Sequence, residues 1–289
     1  MKIAIIWKWW AWKTTLSVCM IKLLSKEKKV IAIDADSNKN LIDYLWFQEN
    51  NDIYELWDLK KDIFLASWVS SDEYERKYFP KDWKWAFSTD LKDEILKKVI
   101  YSDWNTNLIQ LWAPRVARVW VTWMCPYNET IKVYLANLVE NDDEIVWIDF
   151  AAWSEVAWKW IIASIDNVII PLEPNSKNLD VAKDIYKTLK FIDYKNVYFV
   201  LNKIRNKEDV DFIKKEFLDD INIIWIIPFS KEIMKMDITW NIDFDNMSSD
   251  LQKSFLDLKN NILNLKADKN EVLSRLQKLD ILKWDKKCH

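Results

Sequence analysis

Glycine is absent from this sequence of 289 residues, whereas tryptophan occurs 20 times. An average protein of this length has roughly 20 glycines, so the tryptophan count matches the number of glycines that are missing. Glycine adopts positive φ without steric cost and lets the backbone approach a ligand closely. A chain without glycine is therefore a poor candidate for tight turns, left-handed helix ends and loops that surround phosphate groups.

Many of the tryptophans occupy positions where glycine is expected. Trp104 lies between Asp103 and Asn105, and Trp46 follows a run of helical character, where a helix-ending glycine is common. Further examples are Trp83, Trp85 and Trp240. Our leading hypothesis is that most or all of these positions are glycine in the functional protein, for instance through a UGA codon that specifies glycine in the source. The alternative is a protein that is genuinely rich in tryptophan.

Other scarcities limit the class of protein. The cysteines (Cys19, Cys125 and Cys288) are scattered and odd in number, which favours a reducing cytosol over a disulfide framework. The formal net charge of −3 gives no overall basic field, so nucleic acid is not a favoured partner. Because the sequence has no stretch of 18 apolar residues and no signal-peptide cleavage site, we expect a soluble cytoplasmic protein without a membrane partner.

Short continuous apolar runs alternate with segments of helical spacing along most of the chain. Runs of this kind are typical of strands that are buried on both faces of a parallel sheet. They lie at 2–6, 30–33, 107–111, 145–148, 168–172, 197–201 and 223–227, with helical spacing at 14–24, 179–191 and 210–218. The sequence therefore predicts an α/β fold with a doubly wound, mostly parallel sheet flanked by helices.

The same patterns suggest a division of the chain. We expect an α/β domain over 1–250 and a helical tail over 251–289. Residues 50–105 are charged and aromatic without a clear period, so we expect inserted helices and loops there, as a lid or a partner surface. An apolar stripe in the tail predicts a helix docked on the domain, and a membrane-surface helix is the less favoured alternative. The stripe consists of Leu251, Phe255, Leu258, Ile262 and Leu265.

The clearest motif follows the first predicted strand. The chain reads W-K-W-W-A-W-K-T-T over 7–15, and glycine at each tryptophan gives G-K-G-G-A-G-K-T-T. That sequence has the G-x-x-x-x-G-K-[ST] form of a phosphate-binding loop, whose backbone N–H groups surround phosphates at a helix N-terminus. Lys13 is expected to contact the β- and γ-phosphates, and the Thr14 hydroxyl to bind Mg²⁺. A chance match to this short motif is the alternative.

A second lysine, Lys8, lies early in the loop. With it the sequence resembles the ParA/MinD class of P-loop ATPases, in the SIMIBI group, whose loop reads K-G-G-x-x-K-[ST]. The resemblance implies a Mg²⁺-dependent ATPase in which Lys8 reaches across an ATP-bound homodimer to the partner's phosphates. It implies Lys8, Lys13 and Asp36 as catalytic residues. The other interpretation of Lys8 is a solvated surface charge.

Two carboxylate motifs resemble the switch segments of this class. Residues 34–41, D-A-D-S-N-K-N-L, resemble switch I, although Ser37 stands where proline is usual. The resemblance implies that Asp36 orients the attacking water and that Asp34 supports the Mg²⁺ shell. Residues 149–153, D-F-A-A-W, resemble switch II, which implies that Asp149 holds a Mg²⁺-bound water and that glycine at 153 approaches the γ-phosphate. Ordinary strand-end carboxylates are the alternative for both motifs.

The resemblance also implies which residues bind the nucleotide. Asn202 and Lys203 correspond to an adenine-reading pair, and the segment around Pro228 to one that packs over the base, with a packing role as the alternative. The complete expected set is Trp7, Lys8, Trp9, Trp10, Ala11, Trp12, Lys13, Thr14, Thr15, Asn202, Lys203 and Pro228.

Within the class, the chain is most similar to the CooC-type ATPases of carbon-monoxide dehydrogenase maturation. Residues 149–160, with glycine restored, read D-F-A-A-G-S-E-V-A-G-K-G and resemble that subgroup's switch II, and Glu173-Pro174-Asn175-Ser176 also fits. The subgroup binds Ni²⁺ or Zn²⁺ through C-x-C at its dimer interface. Here Trp123 replaces the first cysteine, so only Cys125 remains as a possible metal ligand. The alternative is that Cys125 is an interface thiol that binds no metal.

Three functions are thus open from the sequence. The first is a dimeric ATPase that acts on a client metalloenzyme in nickel maturation. The second is a partition or positioning ATPase of the ParA/MinD type. The third is a non-catalytic interaction protein, which is the most that the chain with real tryptophans could be. We expect that chain neither to bind ATP nor to fold cleanly, since four indoles would fill the phosphate loop.

Overall fold

A computed structural model of the protein describes residues 1–6, 13–36, 40–68, 84–111, 125–150, 161–217, 221–239 and 242–285. Within these ranges the strands are β1 (Lys2–Ile5), β2 (Lys29–Ala35), β3 (Phe87–Ser88), β4 (Ile100–Asp103), β5 (Thr106–Gln110), β6 (Leu138–Val139), β7 (Glu144–Phe150), β8 (Asn167–Leu172), β9 (Val197–Ile204) and β10 (Ile223–Pro228).

The helices of the described ranges are α1 (Lys13–Leu24), α2 (Asn40–Tyr44), α3 (Lys60–Ala66), α4 (Glu94–Val99), α5 (Cys125–Ala136), α6 (Ser176–Phe191), α7 (Lys207–Phe217), α8 (Lys231–Thr239), α9 (Ser249–Leu263) and α10 (Lys269–Asp285). A short 3₁₀ helix spans Ile161–Ser164.

The described strands build one large sheet of eight strands in the order β10-β9-β8-β1-β7-β2-β5-β4. All neighbours in this sheet pair in parallel except β4 and β5, which are antiparallel. Every residue of β1 and β7 is buried, as expected for central strands covered on both faces. The predicted doubly wound, mostly parallel sheet is confirmed, and β1, which precedes the phosphate-loop motif in the sequence, lies at its centre.

Two segments differ in detail from the expectations drawn from the sequence. Within 50–105, β4 joins the large sheet as an antiparallel edge strand, which the sequence pattern did not reveal because I-Y-S-D is short and half polar. The apolar spacing of residues 127–138 predicts a helix that begins after Pro126, whereas helix α5 begins at Cys125.

The C-terminal segment forms two helices that pack on the α/β body. Helix α9 lies along the edge strand β10, where Ser254 Oγ donates to the Ile226 carbonyl at 3.3 Å and Asn261 Nδ2 to the Ile224 carbonyl at 2.8 Å. These side chains occupy carbonyls of a strand edge that would otherwise be open to pairing. Helix α10 is anchored by Arg275, whose guanidinium donates to the Ala163 and Ile165 carbonyls.

Three tryptophans have positive φ, an unusual conformation for a residue with a bulky side chain. The angles are 64° at Trp46, 60° at Trp68 and 47° at Trp104; in the described part of the chain only Asp193 and Lys203 share this feature. The three indoles are also exposed, at 68%, 74% and 94% respectively. Tryptophan is thus found in the backbone conformation that glycine favours, with its side chain in solvent.

Hydrogen bonding places two of these tryptophans at the left-handed ends of helices. At the end of α2, Trp46 N donates to the Asp43 carbonyl and Phe47 N to the Ile42 carbonyl, the bond pair of a Schellman motif. After α3, Trp68 N donates to the Leu65 carbonyl in the same way. The position that Trp46 and Trp68 occupy is usually glycine.

Trp104 lies in a tight hairpin. Asp103 of β4 pairs with Thr106 of β5, so Trp104 and Asn105 form a two-residue loop. Positive φ occurs only at the first of the two, which is the glycine position of type II′ hairpin loops.

In the part of the chain that the structure describes, no helix is both long enough and apolar enough to cross a membrane.

Candidate functional site

The carboxyl ends of three adjacent parallel strands bring polar side chains into one row. Asp149 of β7 is in register with Asp34 of β2, which is in register with Gln110 of β5. All three are buried. Ligands of open α/β sheets bind at this edge, and α1 begins here with Lys13.

The Lys13 ammonium is the centre of the site. Its Nζ lies 2.8 Å from Asp149 Oδ1 and 3.2 Å from Asp36 Oδ2, and it donates to the Phe150 carbonyl at 2.5 Å. Lys13 is only 8% exposed, so these contacts replace water around a buried cation. One ammonium therefore connects the two segments that resemble switch I and switch II.

The Thr14 hydroxyl joins the same group, since its Oγ1 donates to Asp149 Oδ2 at 3.2 Å. Asp34 contacts the backbone. Its Oδ1 accepts from Asp36 N at 3.1 Å and its Oδ2 from Leu41 N at 3.0 Å. Asp34 thus holds the backbone that carries Asp36, and its support of the Mg²⁺ shell, which the resemblance implies, stays a prediction.

Burial and charge act in opposite directions on this cluster. Burial tends to lower the pKa of Lys13, but the Asp149 and Asp36 carboxylates outweigh it and hold that pKa above its ordinary value. Burial, together with the charge of Asp149, raises the pKa of Asp34 to about 7. Lys13 therefore stays charged, and its positive charge compensates the Asp36 and Asp149 carboxylates.

The donor set fits magnesium. Mg²⁺ is usually held by one or two carboxylates or hydroxyls together with substrate phosphates and water. Thr14 Oγ1 and Asp149 Oδ2 lie side by side and supply a hydroxyl and a carboxylate of this kind. The phosphate loop fits only in part, because glycine N–H groups can surround a phosphate whereas the tryptophans at 7, 9, 10 and 12 would place indoles there.

A second group of polar residues lies where β8 and β9 end. Asn202 is buried, and its Oδ1 accepts from Lys203 N at 3.0 Å. The Lys203 ammonium lies 2.7 Å from Glu173 Oε1. Pro228 ends the next strand, β10, and is exposed. The carboxyl edge of the sheet thus carries two groups of polar residues, one around Lys13 and one around Lys203.

The structure brings together Lys13, Thr14, Asp34, Asp36 and Asp149 of the expected site residues. Thr15 is buried in α1. Other expected residues fall outside the described ranges. They are Trp7, Lys8, Trp9, Trp10, Ala11, Trp12, Ser37 and Trp153. The Cys125 side chain also lies outside what is described, as do Trp123 and Cys288. Among the described residues, no group of three or more His, Cys, Asp and Glu side chains could hold a metal ion.

Sequence reasoning missed two features of the site. The Phe150 carbonyl binds Lys13, which no side-chain pattern could indicate. Gln110 lies in the row with Asp34, and its side-chain nitrogen has no hydrogen-bond partner in the part of the chain that the structure describes. A single glutamine at the end of an otherwise apolar run was the available signal.

The central parallel strand β1 is followed by a helix that begins with Lys13 and Thr14, and Asp149 and Asp34 lie on the nearby strands β7 and β2. This arrangement defines a P-loop nucleotide-binding protein. Residues 11–239 match the CobQ/CobB/MinD/ParA nucleotide binding domain, so the chain belongs to that family. The expected membership of the ParA/MinD class is thereby confirmed.

The chain is similar to several known proteins over most of its length. It is 27% identical over 273 residues to an uncharacterized ATP-binding protein of Methanocaldococcus jannaschii, covering 92% of this chain and 99% of the relative. It is 25% identical to the carbon monoxide dehydrogenase accessory protein CooC of Rhodospirillum rubrum, covering 82% and 87%. The Pyrococcus furiosus cell division ATPase MinD has the same fold, with a TM-score of 0.62 at 15% identity, covering 92% and 99%.

Proposed function

We propose that the protein is a Mg²⁺-dependent ATP hydrolase. The observation that carries this proposal is the Lys13 cluster, in which one ammonium contacts Asp36 and Asp149 while Thr14 bonds to Asp149. Similarity to an ATP-binding protein over nearly the whole chain supports ATP as the nucleotide.

The contacts of Lys13 suggest how these residues work. Bound triphosphate offers Lys13 phosphate oxygens in place of its carboxylate partners, which releases Asp36. The Asp36 carboxylate then accepts a hydrogen bond from water and aligns it for in-line attack on the γ-phosphorus, as the bond to the ADP oxygen breaks. Thr14 and Asp149 would hold Mg²⁺, which would supply positive charge to the phosphates.

Asp36→Ala tests this assignment. Made in the chain with glycine at the twenty tryptophan positions, the variant is expected to bind ATP as that parent chain does but to lose turnover, because the carboxylate orients water and contributes little to affinity. Asp43→Ala, an exposed carboxylate of α2, is the matched control and should hydrolyse ATP normally. Unchanged turnover in Asp36→Ala would reject the role of Asp36.

We further propose that most or all tryptophan positions are glycine in the functional protein. Three of them have positive φ at glycine positions of helix ends and a hairpin. A fourth, Trp147, is fully buried in β7, and its indole nitrogen has no hydrogen-bond partner among the described residues. A left-handed residue with a side chain costs about 1–2 kcal/mol and a buried unpaired donor about 1–3 kcal/mol, large against a stability of about 5–15 kcal/mol.

Peptide mass spectrometry of protein purified from its native source tests this residue assignment. Cleavage after Lys8 and Lys13 releases residues 9–13, which we expect to read G-G-A-G-K. Recovery of W-W-A-W-K from that source would reject the assignment for the phosphate loop. The codons at 7, 9, 10 and 12 give an independent check.

We propose that ATP binding drives formation of a homodimer, with Lys8 acting on the partner's phosphates. The basis is the family and the second lysine of the loop. In the chain with glycine at the twenty tryptophan positions, Lys8→Ala should leave ATP binding largely intact but prevent ATP-dependent dimerisation in analytical ultracentrifugation with a non-hydrolysable analogue. If Lys8→Ala dimerises normally, the proposed role of Lys8 is wrong and the protein is an ordinary P-loop protein.

The client that we propose is a metalloenzyme, with the ATPase acting in nickel maturation. Similarity to an accessory protein of carbon monoxide dehydrogenase supports this client over a partition or positioning role. Cys125 at the start of α5 is the proposed Ni²⁺ or Zn²⁺ ligand, because a helix N-terminus favours the thiolate. We expect at most one ion per ATP-bound dimer, lost in Cys125→Ser. If neither Ni²⁺ nor Zn²⁺ binds stoichiometrically in the presence of ATP, the role in nickel maturation is rejected and the partition or positioning function remains.

A further inference from the structure

The ion pair between Glu173 and Lys203 takes no part in the proposed hydrolysis. Glu173 directly follows β8, and Lys203 lies near the end of β9. Leu172 of β8 is in register with Leu201 of β9, so Glu173 and Asn202 leave the paired region side by side. The pair therefore lies at the same edge of the sheet as the Lys13 cluster, two strands away from β7.

The Glu173 carboxylate is held from two directions. Oε1 lies 2.7 Å from Lys203 Nζ, and Oε2 accepts from Asn178 Nδ2 of helix α6 at 3.4 Å. Glu173 is 9% exposed, which is low for a carboxylate at the end of a strand. Contacts from a strand and a helix thus fix its orientation.

Lys203 has a conformation that needs such support. Its φ of 59° is left-handed, and its backbone nitrogen donates to Asn202 Oδ1 at 3.0 Å. A residue with a side chain adopts this conformation only where its surroundings impose it, and such residues cluster at ligand sites. Here the Asn202 amide holds the backbone and Glu173 holds the ammonium.

We propose that Glu173 is a positioning residue for the nucleotide base. Through its ion pair it holds the four-carbon stem of Lys203 as one wall of the base pocket, and it fixes the turn that orients the Asn202 amide. A methylene stem with an anchored ammonium suits the flat, apolar face of a purine. This proposal rests on the proposed nucleotide binding and concerns the base alone.

The experiment compares ATP with inorganic tripolyphosphate, which shares the phosphates but has no base. Glu173→Ala and Lys203→Ala, made in the full chain with glycine at the twenty tryptophan positions, should each weaken ATP binding about tenfold. Binding of tripolyphosphate should stay unchanged, because Lys13 and the loop are untouched. Lys203→Arg retains the cation and should keep the ratio of the two dissociation constants close to that of the unchanged protein.

Glu216→Ala is the matched control, because it removes another ion pair, with Lys183, that joins α6 and α7. Its ratio of dissociation constants should not change. Equal weakening of ATP and tripolyphosphate by Glu173→Ala would mean a merely structural role and overturn the proposal, as would no weakening of either. If the parent chain with glycine at the twenty tryptophan positions binds neither compound, the proposed nucleotide binding itself fails.

Discussion

The Lys13 ammonium and the Asp149 carboxylate form a buried ion pair, with 2.8 Å between Nζ and Oδ1. Their positions come from different parts of the fold: Lys13 begins the helix after β1, and Asp149 lies in β7, which pairs with β1. Because Asp36 contacts the same ammonium, both switch-like segments depend on one lysine. These ion pairs of the proposed nucleotide site thus also stabilise the fold.

In the chain with glycine at the twenty tryptophan positions, Lys13→Ala is expected to destabilise the protein as well as abolish ATP turnover. It leaves Asp149 without its buried counter-charge, and breaking such a pair costs about 3–5 kcal/mol. Denaturant unfolding measures the loss. The double variant Lys13→Met/Asp149→Asn should recover part of it, because the Asp149 charge that Lys13 had compensated is removed as well. A double variant no more stable than Lys13→Ala would show that the loss does not come from the unpaired carboxylate.

The raised pKa of Asp34 predicts how the unfolding free energy depends on pH. This pKa is about 7 in the folded protein, against an ordinary value of 3.8. Between these values the unfolded chain releases a proton that the folded protein keeps, so the contribution of Asp34 to stability falls as pH rises from about 4 to about 7. Relative to the unchanged protein, Asp34→Asn should therefore gain unfolding free energy across this window and show a constant difference above it.

Urea unfolding at a series of pH values, without Mg²⁺, measures this difference. Asp103→Asn, at an exposed position, is the control and should run parallel to the unchanged protein. A difference between Asp34→Asn and the unchanged protein that is constant from pH 4 to pH 7 would contradict the raised pKa.

Trp104 allows a direct test of the backbone argument. The indole is 94% exposed, so Trp104→Gly and Trp104→Ala both remove a side chain that packs little. Only glycine accepts the φ of 47° without steric cost. Trp104→Gly should therefore be more stable than Trp104→Ala by about 1 kcal/mol in denaturant unfolding. Equal stability of the two variants would contradict the left-handed hairpin position.

Arg275 tests whether the C-terminal helix is part of the folded body. Its guanidinium donates to two carbonyls and to Glu271, and it lies over the Tyr194 ring. Lysine cannot donate in all of these directions, so Arg275→Lys should lower the unfolding free energy by about 1–3 kcal/mol. In the glycine chain it should leave ATP turnover unchanged. Lys278→Ala, which removes an exposed ion pair of the same helix, should cost much less. Equal losses would contradict the anchoring role of Arg275.

The sequence predicted the large sheet well, because buried parallel strands such as β7, with I-V-W-I, are continuous apolar runs whose signal does not depend on distant residues. It also placed Lys13, Asp34, Asp36 and Asp149 at strand and helix ends. It did not reveal β4, whose pairing with β5 depends on a hairpin that a tryptophan obscures.

The contacts of the site could not be predicted in the same way. Asp34 binds the backbone of Asp36 and Leu41, a choice that depends on how the chain turns after β2. The Glu173–Lys203 pair joins residues that are thirty positions apart, and only the register of β8 and β9 brings them together. Register is a property of the assembled sheet.

The central claim, a nucleotide site completed by glycine, is tested most directly by titrating Mg²⁺-ATP calorimetrically into two full-length chains. One carries tryptophan and the other glycine at all twenty positions. The account predicts that the glycine chain binds one ATP per chain and that the tryptophan chain binds none. Equal binding by both chains, or no binding by the glycine chain, would contradict it.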